Sequence, residues 1–230
     1  MDFDGTITRL DVGDAIYKEF GKEERVNNII NDLLQDKISS RDCWIKLCEE
    51  VPYIDKNKLN NFIDNISVDT SFIKFMEYCD IENFEIYVLS DGFDYYIDRI
   101  LANSRITGIK AYSNHLEIVD NKMVPSFPYY DESSLSSANC KRNHIINHSS
   151  DDEFTVFIGD GNSDKDAVEY CDYIFAKSDL LRYCEMERIT FFPYKSFEDI
   201  IKKLDELKVK KRLKKRAQAV LKRREAYKVE

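Results

Sequence analysis

Phe154-Thr155-Val156-Phe157-Ile158-Gly159-Asp160-Gly161-Asn162-Ser163-Asp164 reads as a strand that runs straight into an acidic turn. A continuous apolar run over 154–158 is the signature of a strand covered on both faces, as in a parallel sheet. A helix is expected from Asp164 to Cys171, then a second apolar strand from Tyr173 to Ala176. Upstream, Phe84 to Leu89 reads as another strand, ending at Ser90-Asp91-Gly92 and followed by a helix from Phe93 to Leu101. Strand, loop, helix and strand in repetition predict an α/β fold, a doubly wound parallel sheet. Such sheets bind ligands beyond the carboxyl ends of their strands. Ser90 and Asp160 stand at those ends, and Asp2 would too if a strand preceded it.

Working outward, the segment between Thr6 and about residue 80 lacks strand alternation. Ile16 and Phe20, then Val26, Ile29, Ile30, Leu33 and Leu34, recur at helical spacing. Trp44, Leu47, Cys48 and Val51 continue the pattern until Pro52 stops it, and Leu59, Phe62, Ile63 and Ile66 form a further stripe. Phe72 to Tyr78 forms the last. Residues 109–127 alternate around Asp120-Asn121, which predicts a hairpin. Asp131 to Asn139 reads as a polar loop, Lys141 to His148 as a short helix, and 149–152 as its exit. The expected division is a catalytic core over 1–10 and 80–207, a helical insert with a linking helix over 11–79, and a basic helical tail over 208–230.

The 230 residues carry a net charge of −9, with an uneven distribution. Residues 208–230 hold eleven Lys/Arg against Glu225 and Glu230, a net of +9, which leaves −18 on 1–207. An acidic body repels phosphate backbones, so no nucleic acid is expected as partner, and only the tail leaves weak anionic contacts open. The tail is read first as a solvated basic helix, with docking on the acidic body as the alternative. No apolar run approaches the ~18 residues of a membrane span. Six scattered cysteines without Cys-x-x-Cys spacing and no secretory signal predict reduced thiols and a cytoplasmic protein. Monomer and dimer are both compatible with the sequence.

The chemistry-bearing residues begin at Met1-Asp2-Phe3-Asp4-Gly5-Thr6. Asp2 and Asp4 share one side of an extended segment, where two carboxylates repel unless a cation or a proton relieves them. Asp160 adds a third, and an oxygen-rich set of this kind suits Mg²⁺ together with substrate phosphate. Ser90 offers a hydroxyl and Gly92 an approachable backbone N–H for phosphate oxygens. Lys141 brings a point charge that would stabilise a transferring phosphoryl group.

Asp2-Phe3-Asp4-Gly5-Thr6, Ser90, Lys141 and Gly159-Asp160-x-x-x-Asp164 resemble, in order, the four motifs of the haloacid dehalogenase-like phosphatases. The helical insert resembles the small cap of the phosphoserine-phosphatase-like branch, on a Rossmann-like core. Ser90-Asp91-Gly92-Phe93-Asp94-Tyr95-Tyr96, Tyr112-x-Asn114-His115, Cys140-Lys141 and Phe175-Ala176-Lys177 are most similar to the methionine-salvage phosphatases acting on 2-hydroxy-3-keto-5-methylthiopentenyl-1-phosphate. The resemblance implies hydrolysis of a small phosphorylated metabolite, with Asp2 as nucleophile and Asp4 as acid and base. It implies that Ser90 and Lys141 hold the phosphoryl group, and that Asp2, the Asp4 backbone carbonyl and Asp160 bind Mg²⁺. Asp164 would orient bound waters or Lys141, and Asp11 would contact substrate from the cap hinge.

Plainer readings stand beside these. The run Asp160 to Asp166 superficially matches a calcium loop, but Lys165 replaces its glycine and Cys171 its final glutamate, so an EF-hand is refused. His144 and His148 have zinc-compatible spacing without a third ligand and are read as ordinary helix histidines. Trp44, Phe72, Phe75 and Tyr78 are read as core. Phosphotransfer to a second substrate and a non-catalytic binding descendant are the alternative functions. Members of the resembled family carry four or five apolar residues before the nucleophile, whereas Met1 alone precedes Asp2. The expectation is that the natural protein starts upstream, and that Asp2 is frayed if Met1 is the start.

Overall fold

The computed structural model describes residues 1–134, 136–150, 152–210 and 212–227. Asp151 of the expected 149–152 exit, Leu135 of the polar loop, and Lys211 and 228–230 of the basic tail lie outside the described residues. In chain order the helices of the first third are α1 (Val12–Phe20), α2 (Glu23–Leu34), α3 (Ser40–Glu50), α4 (Lys56–Asp64) and α5 (Thr70–Ile81). Then come β1 (Tyr87–Phe93), α6 (Asp94–Asn103), β2 (Lys110–Val119), β3 (Lys122–Ser126), α7 (Lys141–Asn147) and β4 (Val156–Gly159). The chain closes with α8 (Lys165–Val168), β5 (Tyr173–Ala176), α9 (Ser178–Met186), β6 (Phe192–Pro193), α10 (Phe197–Lys208) and α11 (Ala217–Ala226). It divides into two compact units: Met1–Asp2, Asp69–Ile86 and Lys141–Glu230 form the first, Phe3–Val68 and Tyr87–Cys140 the second.

In the second unit, helix starts are written by side chains that accept from otherwise orphaned N–H groups. Asp11 caps α1 through Asp14, Ser39 caps α3 through Asp42, and Asp55 caps α4 through Asn57 and Lys58. β1 pairs parallel with β2, and β2 antiparallel with β3. The hairpin turn sits at Asp120 and Asn121 with φ of 48° and 60°, the positive pair that a two-residue turn matched to strand twist requires. β1 does not end at Ser90 as the sequence suggests. Its register shifts between Leu89 and Phe93, and pairing resumes at Phe93–Asn114, so Ser90, Asp91 and Gly92 occupy an irregularity within the strand.

In the first unit β4, β5 and β6 are all parallel, in that order. Only the second half of the apolar run is covered. Phe157 and Ile158 are buried, while Phe154 and Val156 are exposed. The expected 164–171 helix shrinks to a 3-10 turn at Asn162–Asp164 and the single turn α8. Here the Asp164 side chain turns back to accept from Asp160 and Gly161. α5 and α10 pack through Phe72, Phe75 and Phe197, with ring centroids 5.0 and 5.2 Å apart. Each such ring stabilises by roughly 1.5–3 kcal/mol when fully buried. Parallel strands joined by helices in both units, with a helical stretch over α1–α5, give the expected α/β class.

The solvated reading of the tail is corrected. Arg223 of α11 is fully buried and its guanidinium meets Asp172 at 3.2 Å, with further bonds to Thr155 Oγ1 at 3.1 Å and to the Tyr170 carbonyl. Arg216 reaches the Val168 carbonyl, and the Tyr173 hydroxyl donates to the Lys214 carbonyl at 3.0 Å. A guanidinium fork satisfies a carboxylate and carbonyls together, which is why arginine rather than lysine stands at the buried position. No helix is long and apolar enough to cross a membrane among the described residues.

His144 of α7 is buried and stacks on His148 at 6.3 Å. Burial, and then the neighbouring His148, hold its imidazole down at about 4. A histidine depressed in the folded state takes up its proton more readily when unfolded. Its contribution is therefore complete above pH 6.5 and lost as pH falls through 4. Urea titrations across that window should show wild type losing of order 2 kcal/mol more than His144→Phe. Equal losses would show that other groups dominate the acid limb.

Candidate active site

In the first unit, the Asp2 N–H donates to the carbonyl of Ile158, the penultimate residue of β4, at 2.9 Å. That bond lays Asp2 beside the strand, and the residue is buried rather than frayed. Lys141 opens α7 with a fully buried ammonium whose three donors are all used. They reach Asp2 Oδ1 at 2.5 Å, Asp164 Oδ1 at 2.6 Å and Ser163 Oγ at 3.0 Å. Burial disfavours the charge, but Asp164 and Asp2 outweigh it and hold the ammonium well above its ordinary range. Asp164 Oδ2 accepts the N–H groups of Asp160 and Gly161 at 3.0 and 3.1 Å, so its carboxylate fixes both the lysine and the turn. A Cβ at Gly159 would meet that same oxygen at 2.3 Å, which excludes any other residue there.

Asp2, Asp160 and Asp164 each offer a carboxylate oxygen, all within 4.8 Å of one another. Three carboxylates beside one ammonium leave excess negative charge, and hard oxygen donors of this kind fit Mg²⁺. Lys141 fixes Asp2 through its Oδ1. Asp4 belongs to the second unit, and the expectation for it as a ligand concerned its backbone carbonyl.

The second unit holds the other group. Asp4 Oδ1 accepts the N–H of Val12, at the start of α1, at 2.9 Å. Its Oδ2 accepts from the hydroxyls of Ser90 at 3.1 Å and Tyr96 at 3.0 Å. Desolvation and the nearby charge of Asp11 push the Asp4 carboxyl up to about 7, against those three donors, which pull it down. The Gly92 N–H donates to Ser90 Oγ at 2.9 Å, and a Cβ at Gly92 would meet the Tyr96 hydroxyl at 1.6 Å. Asp11 itself is exposed and spends its Oδ1 on the α1 cap, 2.8 Å from the Asp14 N–H.

The comparisons agree with this chemistry. No family model matches the chain. Pdp3-interacting factor 1 of Schizosaccharomyces pombe (strain 972 / ATCC 24843) is 31% identical over 216 residues, which cover 90% of this chain and 93% of that protein. A 2-hydroxy-3-keto-5-methylthiopentenyl-1-phosphate phosphatase of Bacillus mycoides (strain KBAB4) is 28% identical over 209 residues, 90% and 94% of the two chains. Among solved structures, a phospho-aspartyl intermediate analogue of phosphoserine phosphatase superposes with a TM-score of 0.71 at 20% identity, covering 88% of this chain and 95% of that one. The chain belongs to the haloacid dehalogenase-like phosphatases. It is a phosphoric monoester hydrolase.

Within this phosphatase, the structure joins Asp2, Lys141, Asp160 and Asp164 in one unit, and Asp4, Ser90, Gly92 and Asp11 in the other. Ser163 and Asp91 escaped the sequence reading, while Tyr95 and Tyr96 read as packing by default, with one of them as a pocket-lining alternative. Ser163 supplies the third acceptor for Lys141. Tyr96 holds Asp4, although its sequence neighbourhood reads as helix packing. Asp91 accepts from Ser137 Oγ and the Asn139 N–H at 2.9 Å each, from the Ala138 N–H, and from Trp44 at 3.3 Å and Ser40. A Ser-x-Gly turn hid it. The only available signal was a charged residue inside an otherwise apolar strand, and Trp44, read as core, is one of its donors.

Proposed function

We propose that this phosphatase hydrolyses a small metabolite phosphate monoester through a phosphoryl group carried on Asp2, with Mg²⁺ as cofactor. The supporting observation is the buried Lys141 clamped between Asp2 and Asp164, with Asp160 completing the carboxylate set. In the first step a carboxylate oxygen of Asp2 attacks phosphorus, the bond to the leaving oxygen breaks, and the proton on Asp4 passes to that oxygen. In the second, water attacks the aspartyl-phosphate and gives a proton to Asp4. The bond between Asp2 and phosphorus then breaks, releasing inorganic phosphate. Splitting the reaction replaces one difficult displacement by two easier ones. Asp2, Asp160 and the Asp4 carbonyl would hold Mg²⁺, with Asp164 fixing Lys141 and the turn. The ion would neutralise phosphate charge when bound.

A carboxyl near 7 suits Asp4 for giving and taking a proton near neutrality. Ser90 and Gly92 would hold phosphate oxygens, with Ser90 Oγ exchanging its present partners for them. Residues 11–79 would act as the cap, with Asp11 at its hinge. The methylthiopentenyl phosphates named for the Bacillus relatives are the first substrates to try. Six buried free cysteines fit a reducing cytoplasm.

Phosphate release from p-nitrophenyl phosphate should require Mg²⁺ and fall by at least about 100-fold in excess EDTA, returning on Mg²⁺ addition. Equal rates with and without chelator would remove the metal from the proposal. A panel of methylthiopentenyl phosphate, phosphoserine, phosphoethanolamine and phosphosugars would then rank the substrates.

A further inference from the structure

The two oxygens of Asp4 are held by donors of different kinds. Oδ1 faces the backbone N–H of Val12, a donor that cannot be reversed. A proton placed on Oδ1 makes that oxygen a poorer acceptor and weakens the bond at the start of α1. Oδ2 faces two hydroxyls, of Ser90 and Tyr96, and each can rotate between donating and accepting. The transferable proton therefore belongs on Oδ2. Ser90 accepts the Gly92 N–H and in the proposed reaction turns to phosphate, whereas the Tyr96 hydroxyl, which also takes the Phe93 N–H, keeps Asp4 Oδ2 as the partner of its own proton.

We infer that Tyr96 is a positioning residue for proton donation: it selects the Asp4 oxygen that carries the proton and stabilises the carboxylate left behind. This rests on the reading of Asp4 as the acid. In the first step the Oδ2–H bond breaks and its proton goes to the leaving oxygen as the bond from phosphorus to that oxygen breaks. The Tyr96 O–H bond stays intact and turns to donate into the new negative charge on Oδ2. The residue is fully buried, its ring packs against Phe3 at 6.4 Å between centroids, and its hydroxyl fills the space that Gly92 leaves open. Tyrosine is thus fixed in place by packing while only its hydroxyl proton moves.

The test is leaving-group dependence in Tyr96→Phe, which removes the hydroxyl and keeps the ring. p-Nitrophenolate departs without a proton, whereas the alkoxide from benzyl phosphate needs one, and the two esters are similar in size. kcat/KM reports only the steps through departure of the leaving group, so later hydrolysis of the Asp2 phosphate does not enter it. A hydrogen bond to a developing charge corresponds to about a 10–100-fold fall in kcat/KM for benzyl phosphate. The value for p-nitrophenyl phosphate should stay within about threefold. Circular dichroism and thermal melting should match wild type. Equal falls for both esters, or no fall for either, would overturn the inference. Asp4→Asn separates the two readings. If it too leaves the ratio of the esters at the wild-type value, the assignment of Asp4 as acid fails. If it lowers the ratio while Tyr96→Phe does not, only the role of Tyr96 fails.

Discussion

Asp2→Asn is expected to lower kcat by about 10⁴–10⁶-fold, the loss that accompanies removal of a nucleophile from a group of residues acting as one unit. The amide can still accept from Lys141 and still donate its backbone N–H to Ile158, so the local geometry survives. What disappears is the charged oxygen that forms the bond to phosphorus. The stability cost is small for a buried charge pair, because Lys141 keeps Asp164 at 2.6 Å and Ser163 at 3.0 Å. Steady-state phosphate release and a thermal melt on the same preparation check both halves. Acid-quenched mass spectrometry should find the phosphoryl adduct on wild type and none on the variant. Retention of activity within tenfold of wild type would remove Asp2 from the mechanism.

Arg223→Ala is expected to destabilise the fold by about 3–5 kcal/mol, the penalty for removing one partner of a buried ion pair. Both side chains are fully buried in the pair, and Asp172 sits directly before β5. Asp172 also accepts the Thr155 N–H at 3.1 Å and the Arg216 N–H at 3.2 Å, and Thr155 Oγ1 returns to the Asp172 N–H at 3.0 Å. The arginine thus ties the tail to the starting ends of two parallel strands. Its loss leaves a carboxylate without its counter-charge. Urea unfolding measures the effect, with exposed Arg224→Ala as the control within about 0.5 kcal/mol of wild type. Arg223→Lys should recover only part of the loss, since an ammonium cannot replace the two-pronged contact. An Arg223→Ala protein as stable as the control would show that the tail does not support the sheet.

Much of the fold was legible because short-range rules govern it. The i, i+3, i+4 spacing of Ile16, Val26, Leu59 and Phe72 marks helix faces, whereas the caps Asp11, Ser39, Asp55 and Asp69 became visible only in the structure. Asp120-Asn121 announced its turn, since few residue pairs tolerate two consecutive positive φ angles. Boundaries were less legible. Ser90-Asp91-Gly92 looks like a stop, yet pairing with β2 resumes at Phe93, because a parallel ladder can absorb an irregularity that local composition does not reveal. The helix expected after Asp164 failed for a similar reason. Its first carboxylate is spent on Lys141 and on the turn that precedes it.

Composition misled at the tail. Eleven basic residues over 208–230 read as a solvated face, but Arg223 is buried against a carboxylate 51 positions away. By itself the sequence determined the α/β class, the order of elements and the residue types able to carry phosphoryl transfer, since these follow from periodicity, turn chemistry and functional groups within a few residues. Tertiary structure alone decided the partners. Lys141 between Asp2 and Asp164, Tyr96 on Asp4 and Arg223 on Asp172 join positions 139, 23, 92 and 51 residues apart. A buried charge or hydroxyl is satisfied by whatever the fold brings within 3 Å or so, and no local pattern in the chain encodes that distance.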